Sequence, residues 1–144
     1  MRIERVEIEG FGPLAAYEVS LEARRLNLII GPNGAGKSSL AAAIVATLFG
    51  FESFDEEQRA RPWSGAAHAA MLILEVGGSR YSLRRDFRTH EVRVDRLGRS
   101  DEVEATLFQG VANPRGRSPE LAQYETILRS WIGFADPRLF RESC

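Results

Sequence analysis

The chain has almost no cysteine, almost no lysine and no long apolar run, and each shortage excludes something. Its one cysteine, Cys144, leaves no partner for an internal disulfide. That removes the disulfide-stapled folds and suits a reducing compartment. No segment reaches the roughly 20 apolar residues that a membrane-spanning helix needs, and the opening MRIERVEIEG carries charges where a signal peptide would be apolar. The expected location is the cytoplasm, with no membrane partner. A formal charge of −1 gives no global electrostatic case for nucleic acid, so such a contact would have to be a local patch. Histidine is scarce too. His68 and His90 have no cysteine or carboxylate neighbours at ligand spacing, so a zinc site is not expected. What is present is ordinary for a globular protein: 144 residues, 44% hydrophobic and 27% charged, enough for one domain with a core, or for part of one.

The lysine shortage is informative because of where the exception falls. Eighteen arginines supply every other cation, and the single lysine, Lys37, lies in LIIGPNGAGKSSLAAAI. Gly31 to Ser38 fits G-x-x-x-x-G-K-[ST], preceded by the apolar run RLNLII, which suggests a buried parallel strand. Leu40, Ile44 and Leu48 then recur at helical spacing, with Gly50 as a C-terminal cap. A glycine-rich loop between strand and helix can aim successive N–H groups at a pyrophosphate, with the helix dipole behind them. A compact ammonium reaches between β- and γ-phosphate oxygens where a planar guanidinium is bulkier. The candidate phosphate-binding residues are Asn33, Gly34, Ala35, Gly36, Lys37, Ser38 and Ser39, with Lys37 as the catalytic cation and Ser38 as the magnesium ligand. The cofactors expected are ATP and Mg²⁺.

The remainder predicts a β-rich companion. Val6 with Ile8, and Tyr17, Val19 and Leu21, alternate as two antiparallel strands ahead of the phosphate loop would. FESFDEEQRARPWSGAAHAA lacks a clear period and predicts a long loop with one helical turn. Gly77-Gly78 marks a tight hairpin, and a further strand pair turns at Leu97 to Ser100. Ser118, Pro119 and the stripe Leu121, Tyr124, Leu128, Trp131 and Ile132, ending at Gly133, predict a helix. Trp63 and Trp131 are expected to be packing residues.

These features in this order resemble the N-terminal part of the SMC-like branch of ABC-type ATPases, including SMC proteins, RecF, RecN and SbcC. The residues that carry the resemblance are IERVEIEGFGPL, LNLIIGPNGAGKSSLAAAIVATLFG, MLILEVGGSRYSLRR and ILRSWIGFADPRLFRESC. It implies an α/β P-loop NTPase lobe with an antiparallel β subdomain, residues 1–144 being the N-terminal lobe of a longer ATPase head. It further implies ATP-driven dimerisation of two heads, a C-terminal half of the same head as partner, and duplex DNA and a nuclease as further partners in DNA repair. The family often has a basic or polar residue just after the position of Phe11, near the nucleotide; here Gly12 and Pro13 stand there. The family's glutamine loop, signature motif and acidic magnesium-and-water site do not occur in this sequence, and the chain alone is expected to be inactive in hydrolysis.

Several residues keep two readings. Glu75, after MLIL, resembles a magnesium-site carboxylate but turns at once through two glycines, which favours a hairpin strand. Gln109 is either a glutamine-loop residue or a strand-end surface residue. Arg59 and Arg61 lie where the resemblance places an arginine able to approach phosphate, and the sequence does not choose between them. Seven arginines from Arg80 to Arg99, among them Arg84, Arg85 and Arg88, face three carboxylates in the same stretch. They are either a DNA-backbone footprint or solvated strand faces. Two rival functions stay open: a transport-type ABC ATPase, and a nucleotide-binding interaction module without turnover.

Overall fold

The computed structural model describes residues 1–22 and 36–143. Within them, six strands form one sheet in the order β2-β1-β3-β4-β5-β6, every neighbouring pair antiparallel. The parallel strand expected over RLNLII lies outside the described residues, as do Asn33, Gly34 and Ala35. β1 (Arg2–Phe11) and β2 (Leu14–Ser20) form the expected opening hairpin, with Val6 opposite Val19 and Ile8 opposite Tyr17. β3 (Ala69–Val76), β4 (Ser79–Asp86), β5 (Glu91–Leu97) and β6 (Val103–Val111) follow as a meander, and β1 pairs with β3. Gly77 and Gly78 have φ of 58° and 83°, the double positive φ that a tight two-residue turn demands. Glu75 closes this turn, its carboxylate accepting the Gly78 N–H at 2.7 Å. That is the hairpin role, not a magnesium-strand role. Gln109 likewise lies on the β6 surface, donating to Glu91 at 3.0 Å.

Helices cover one face of the sheet. α1 (Lys37–Phe49) packs across β1, β3 and β4, and α3 (Pro119–Ile132) lies against β6. Both follow their sequence signals. Gly50 ends α1 at φ 76°, its N–H donating to Ala46 O at 2.7 Å, and Ser118 caps α3 by accepting the Leu121 N–H at 3.0 Å. Val6, Ile8, Leu72, Leu74, Leu83, Val92 and Val94 from the sheet meet Leu40, Ala43 and Leu48 from α1 and Tyr124 and Leu128 from α3 in one core. Each fully buried Leu contributes about 1.5–3 kcal/mol. Two shorter helices complete the chain: α2 (Phe54–Arg59), the expected helical turn inside the polar segment, and α4 (Pro137–Ser143), whose Phe140 ring stands 5.6 Å from that of Phe49.

The structure corrects two expectations. Trp63 is no packing residue, being 78% exposed. Arg85 is no surface cation and cannot meet a DNA backbone. It shares the inward face of β4 with Leu83, is 0% exposed, and reaches the C-terminal end of α1. Its Nε donates to Thr47 O at 3.0 Å, Nη2 to Leu48 O at 3.5 Å and Nη1 to Ala112 O at 2.8 Å, with the guanidinium 5.4 Å from the Tyr124 ring centroid. Tyr124 itself donates its hydroxyl to Leu48 O. Burial pulls the Arg85 pKa down from its ordinary value, yet a guanidinium so bonded remains charged. The alternation that placed Arg84 and Arg85 side by side in the sequence sends them to opposite faces of the sheet.

Arg85→Ala takes the side-chain donor from Thr47 O and Ala112 O, leaves Leu48 O to Tyr124 alone and opens a cavity beside that ring, and we expect it to cost more than about 3 kcal/mol in urea unfolding. Arg84→Ala, which breaks an exposed pair with Glu9, should stay within about 1 kcal/mol. Equal effects of the two substitutions would contradict this assignment of the core cation.

Candidate functional site

Three segments meet at the N-terminal end of α1. The β1–β2 turn contributes Phe11, Gly12 and Pro13; α1 contributes Ser38 and Ser39; and the chain leaving α2 contributes Arg59, Ala60 and Trp63. Together they wall a cleft of about 470 Å³ that runs along α1 to Gly50 and Phe51, with Arg141 of α4 on its border. Main-chain bonds hold the turn to the α2 segment: Gly12 N–H donates to Ala60 O at 2.8 Å, and Trp63 N–H to Gly12 O at 3.0 Å. Gly12 has φ 53°, a conformation glycine adopts freely and which lets both its polar groups face the α2 segment.

The start of α1 has the form an anion site needs. Gly36 is its N-cap residue in the left-handed region, at φ 86°, and makes no side-chain cap. Any Cβ on Gly36 would stand 2.7 Å from Leu14 Cδ2, so glycine is required both by conformation and by the close approach of β2. Lys37, Ser38 and Ser39 form the first turn, where a helix leaves its N–H groups without intrahelical acceptors, and no acidic residue stands in that turn. A helix start with no carboxylate and no capping hydroxyl fits an anion supplied from outside. Ser38 is exposed and lines the cleft.

Beneath the cleft is an aromatic cage. Phe11, Phe51 and Phe87 lie 5.3–6.1 Å apart by ring centroids, and His68 packs 4.8 Å from Phe87 and 5.8 Å from Phe11. Burial pushes the His68 pKa down to about 4, against the opposing pull of Glu57 and Asp86. The imidazole is therefore a neutral packing group at pH 7. His90, the other histidine, approaches Glu57 of α2, Nε2 to Oε1 at 3.7 Å, and Arg115 pairs with the same carboxylate. Glu57 thus ties α2 to the rest of the molecule.

The sequence candidates divide accordingly. Arg59 stands on the cleft wall; Arg61, also exposed, does not line it. The basic hairpin is largely neutralised by carboxylates of other strands, of β5 itself and of the β5–β6 turn. Arg80 pairs with Glu4 at 2.8 Å and Asp101 at 2.7 Å, Arg84 with Glu9 at 2.6 Å, Arg93 with Asp95 at 2.8 Å and Arg96 with Glu104 at 3.4 Å. Arg88 is exposed in the β4–β5 turn, outside these pairs. The contribution of Trp63 to the cleft was invisible in RARPWSG, where the surrounding segment has no apolar period to say which way a tryptophan points. No helix among the described residues is long and apolar enough to cross a membrane.

Comparison with known proteins gives the family. The AAA_27 family, described as an AAA domain, matches residues 1–115, which include β1, β2, α1, α2 and the strand meander. The chain belongs to the AAA_27 family. Two relatives extend the match past its end. A protein named DNA double-strand break repair Rad50 ATPase from Methanopyrus kandleri is 35% identical over 146 residues, covering 98% of this chain and 15% of its own length. One of the same name from Sulfurisphaera tokodaii is 31% identical over 138 residues, covering 92% and 15%. The chain thus spans about 15% of the length of the curated relatives it matches. This AAA_27 domain stands on the SMC- and Rad50-like side of the sequence resemblance, and neither relative is named as a transport ATPase.

Acid should act through the caged imidazole. Above pH 6.5 His68 is neutral folded or unfolded and contributes no slope; below it the unfolded chain takes up a proton that the folded chain refuses until about pH 4. Stability should therefore fall as pH drops from 6.5 to 4, by roughly 2–3 kcal/mol from this group. Chemical denaturation at pH 7 and pH 4.5 measures it, and His68→Phe should remove that part of the acid sensitivity; an unaltered difference in the variant would count against the cage.

Proposed function

We propose that this AAA_27 domain binds ATP with Mg²⁺ as the N-terminal lobe of a P-loop ATPase head, in a DNA double-strand-break repair ATPase of the kind its relatives are named for. One observation carries the reading: the sequence G-x-x-x-x-G-K-S ends on a helix whose first residue is Lys37, behind a left-handed Gly36, with no side-chain cap and no acid in the first turn. Lys37 would hold the β- and γ-phosphates, the amides of Gly34 to Ser39 would cradle them, and the Ser38 hydroxyl would ligate Mg²⁺. The bound metal supplies charge neutralisation to the phosphates. Arg59, on the cleft wall, is the better placed of the two α2-segment arginines for a forked phosphate contact.

Turnover requires more than this lobe. Hydrolysis needs an ordered water and a base, which a C-terminal half of the same head would supply, while a second head would close over the bound ATP as its dimer partner. The chain's small share of its relatives' length supports such a division of labour. Duplex DNA and a nuclease subunit are the further partners in this reading, and the cytoplasm its location. With Arg85 buried and Arg84 paired, Arg88 is the member of the Arg84, Arg85 and Arg88 group most open to DNA.

Calorimetric titration with ATP-Mg tests the reading directly. Lys37→Ala should weaken binding at least about tenfold, as loss of a charge-assisted contact does, while the fold stays intact, as cooperative urea unfolding would show. Identical ATP affinity in the two proteins would overturn the phosphate-loop assignment.

A further inference from the structure

Among the described residues Trp63 is the most exposed of the large apolar side chains, at 78%, yet its main chain is firmly held. Its N–H is bonded to Gly12 O, Gly12 is bonded in turn to Ala60, and Pro62 immediately before it is packed so closely against β1 that a Cβ on Gly10 would stand 2.9 Å from the proline ring. A fixed stem thus presents an uncovered indole on the same cleft as Ser38 and Ser39, beside a turn whose Gly12 and Pro13 offer no polar side chain. The cleft volume of about 470 Å³ falls within the roughly 300–1,000 Å³ of small-molecule sites.

We infer that Trp63 is the stacking platform for the base of the nucleotide whose phosphates lie at the start of α1, a deepening that rests on the proposed function. Any nucleobase has a π-face, so an indole holds it without reading its edge. Affinity from Trp63 therefore separates nucleoside triphosphates from inorganic tripolyphosphate far more than it separates one purine from another. The alternative occupant of an exposed indole is a protein surface, and the experiment distinguishes the two.

The test is calorimetry with ATP-Mg, GTP-Mg and tripolyphosphate-Mg on wild type, Lys37→Ala, Trp63→Ala and Trp63→Phe. Trp63→Ala should weaken ATP and GTP alike by about ten- to a hundredfold and leave tripolyphosphate unchanged, while Trp63→Phe keeps most of the affinity. In a Trp131→Phe background, where Trp63 is the one remaining tryptophan, ATP-Mg should quench its fluorescence and tripolyphosphate should not. Trp131 packs 4.8 Å from Tyr81 and does not line the cleft, so its replacement leaves the site alone. If Lys37→Ala loses ATP while Trp63→Ala binds it as wild type does, the phosphate-loop reading stands and this inference falls. It falls equally if Trp63→Ala loses tripolyphosphate as severely as ATP, or changes only self-association by sedimentation. If wild type binds neither ATP nor tripolyphosphate, both fall.

Discussion

The buried guanidinium of Arg85 fixes α1 in place, and the cleft depends on α1. A cation taken fully out of water is costly unless its donors are met, and here they meet main-chain oxygens at the C-terminal end of α1 and after β6. The choice of acceptors matters. Thr47 and Leu48 carry the last carbonyls of the helix, which have no intrahelical donor and bear the negative end of its dipole. One side chain thereby satisfies the helix terminus and compensates its own burial without a carboxylate. Tyr124 adds its hydroxyl to Leu48 O and its ring to the guanidinium, which brings α3 into the same joint. Gly50 is required there as well, since a Cβ would stand 2.7 Å from Pro114 and 3.2 Å from the Arg85 guanidinium.

With its C-terminal end anchored, α1 presents the opposite end in a defined position. The two ends differ: negative partial charge at the C-terminus is answered from inside the protein by Arg85, whereas the N-terminus has no side-chain cap and no acid in its first turn, which is where the proposed function puts a phosphate. Leu14 over Gly36 and the Phe11, Phe51, Phe87 and His68 cage support that end from below. The β1–β2 turn therefore serves two purposes. It supplies apolar groups to the core through Phe11 and Leu14, and through Gly12 it fixes the α2 segment that carries Arg59 and Trp63.

How far this was legible in the sequence depends on the range of the forces involved. Elements set by local rules were plain: the Gly77-Gly78 turn, the Ser118-Pro119 helix start and the Gly50 and Gly133 helix ends all occur where their residues indicate. The helix expected after G-x-x-x-x-G-K-S was legible too and begins at Lys37. Long-range partners were not. The count of arginines between Arg80 and Arg99 suggested a basic surface because Glu4, Glu9, Asp101 and Glu104 lie outside that window and reach it by strand pairing or by the β5–β6 turn. Trp63 was misjudged for the related reason that burial is decided by what folds over a residue. In RARPWSG nothing local indicates that, since α2 and the β1–β2 turn hold the backbone and leave the ring outside.

The chain's near-exclusive use of arginine now has a structural reason. Arg80 bridges Glu4 and Asp101 at once, and Arg85 reaches three carbonyls from two segments, tasks that a planar fork with five donors performs and a single ammonium does not. A sheet whose strands are laced together by such forks gains register as well as charge balance, because each fork fixes two partners in direction. The start of α1 makes the contrary demand. Under the proposed function a slender cation there would leave room for main-chain amides to approach the same phosphate, where a guanidinium would compete with them for its oxygens. On that reading, lysine at position 37 and arginine elsewhere answer one question, whether a cation is to hold protein groups at fixed angles or to reach a ligand among backbone donors.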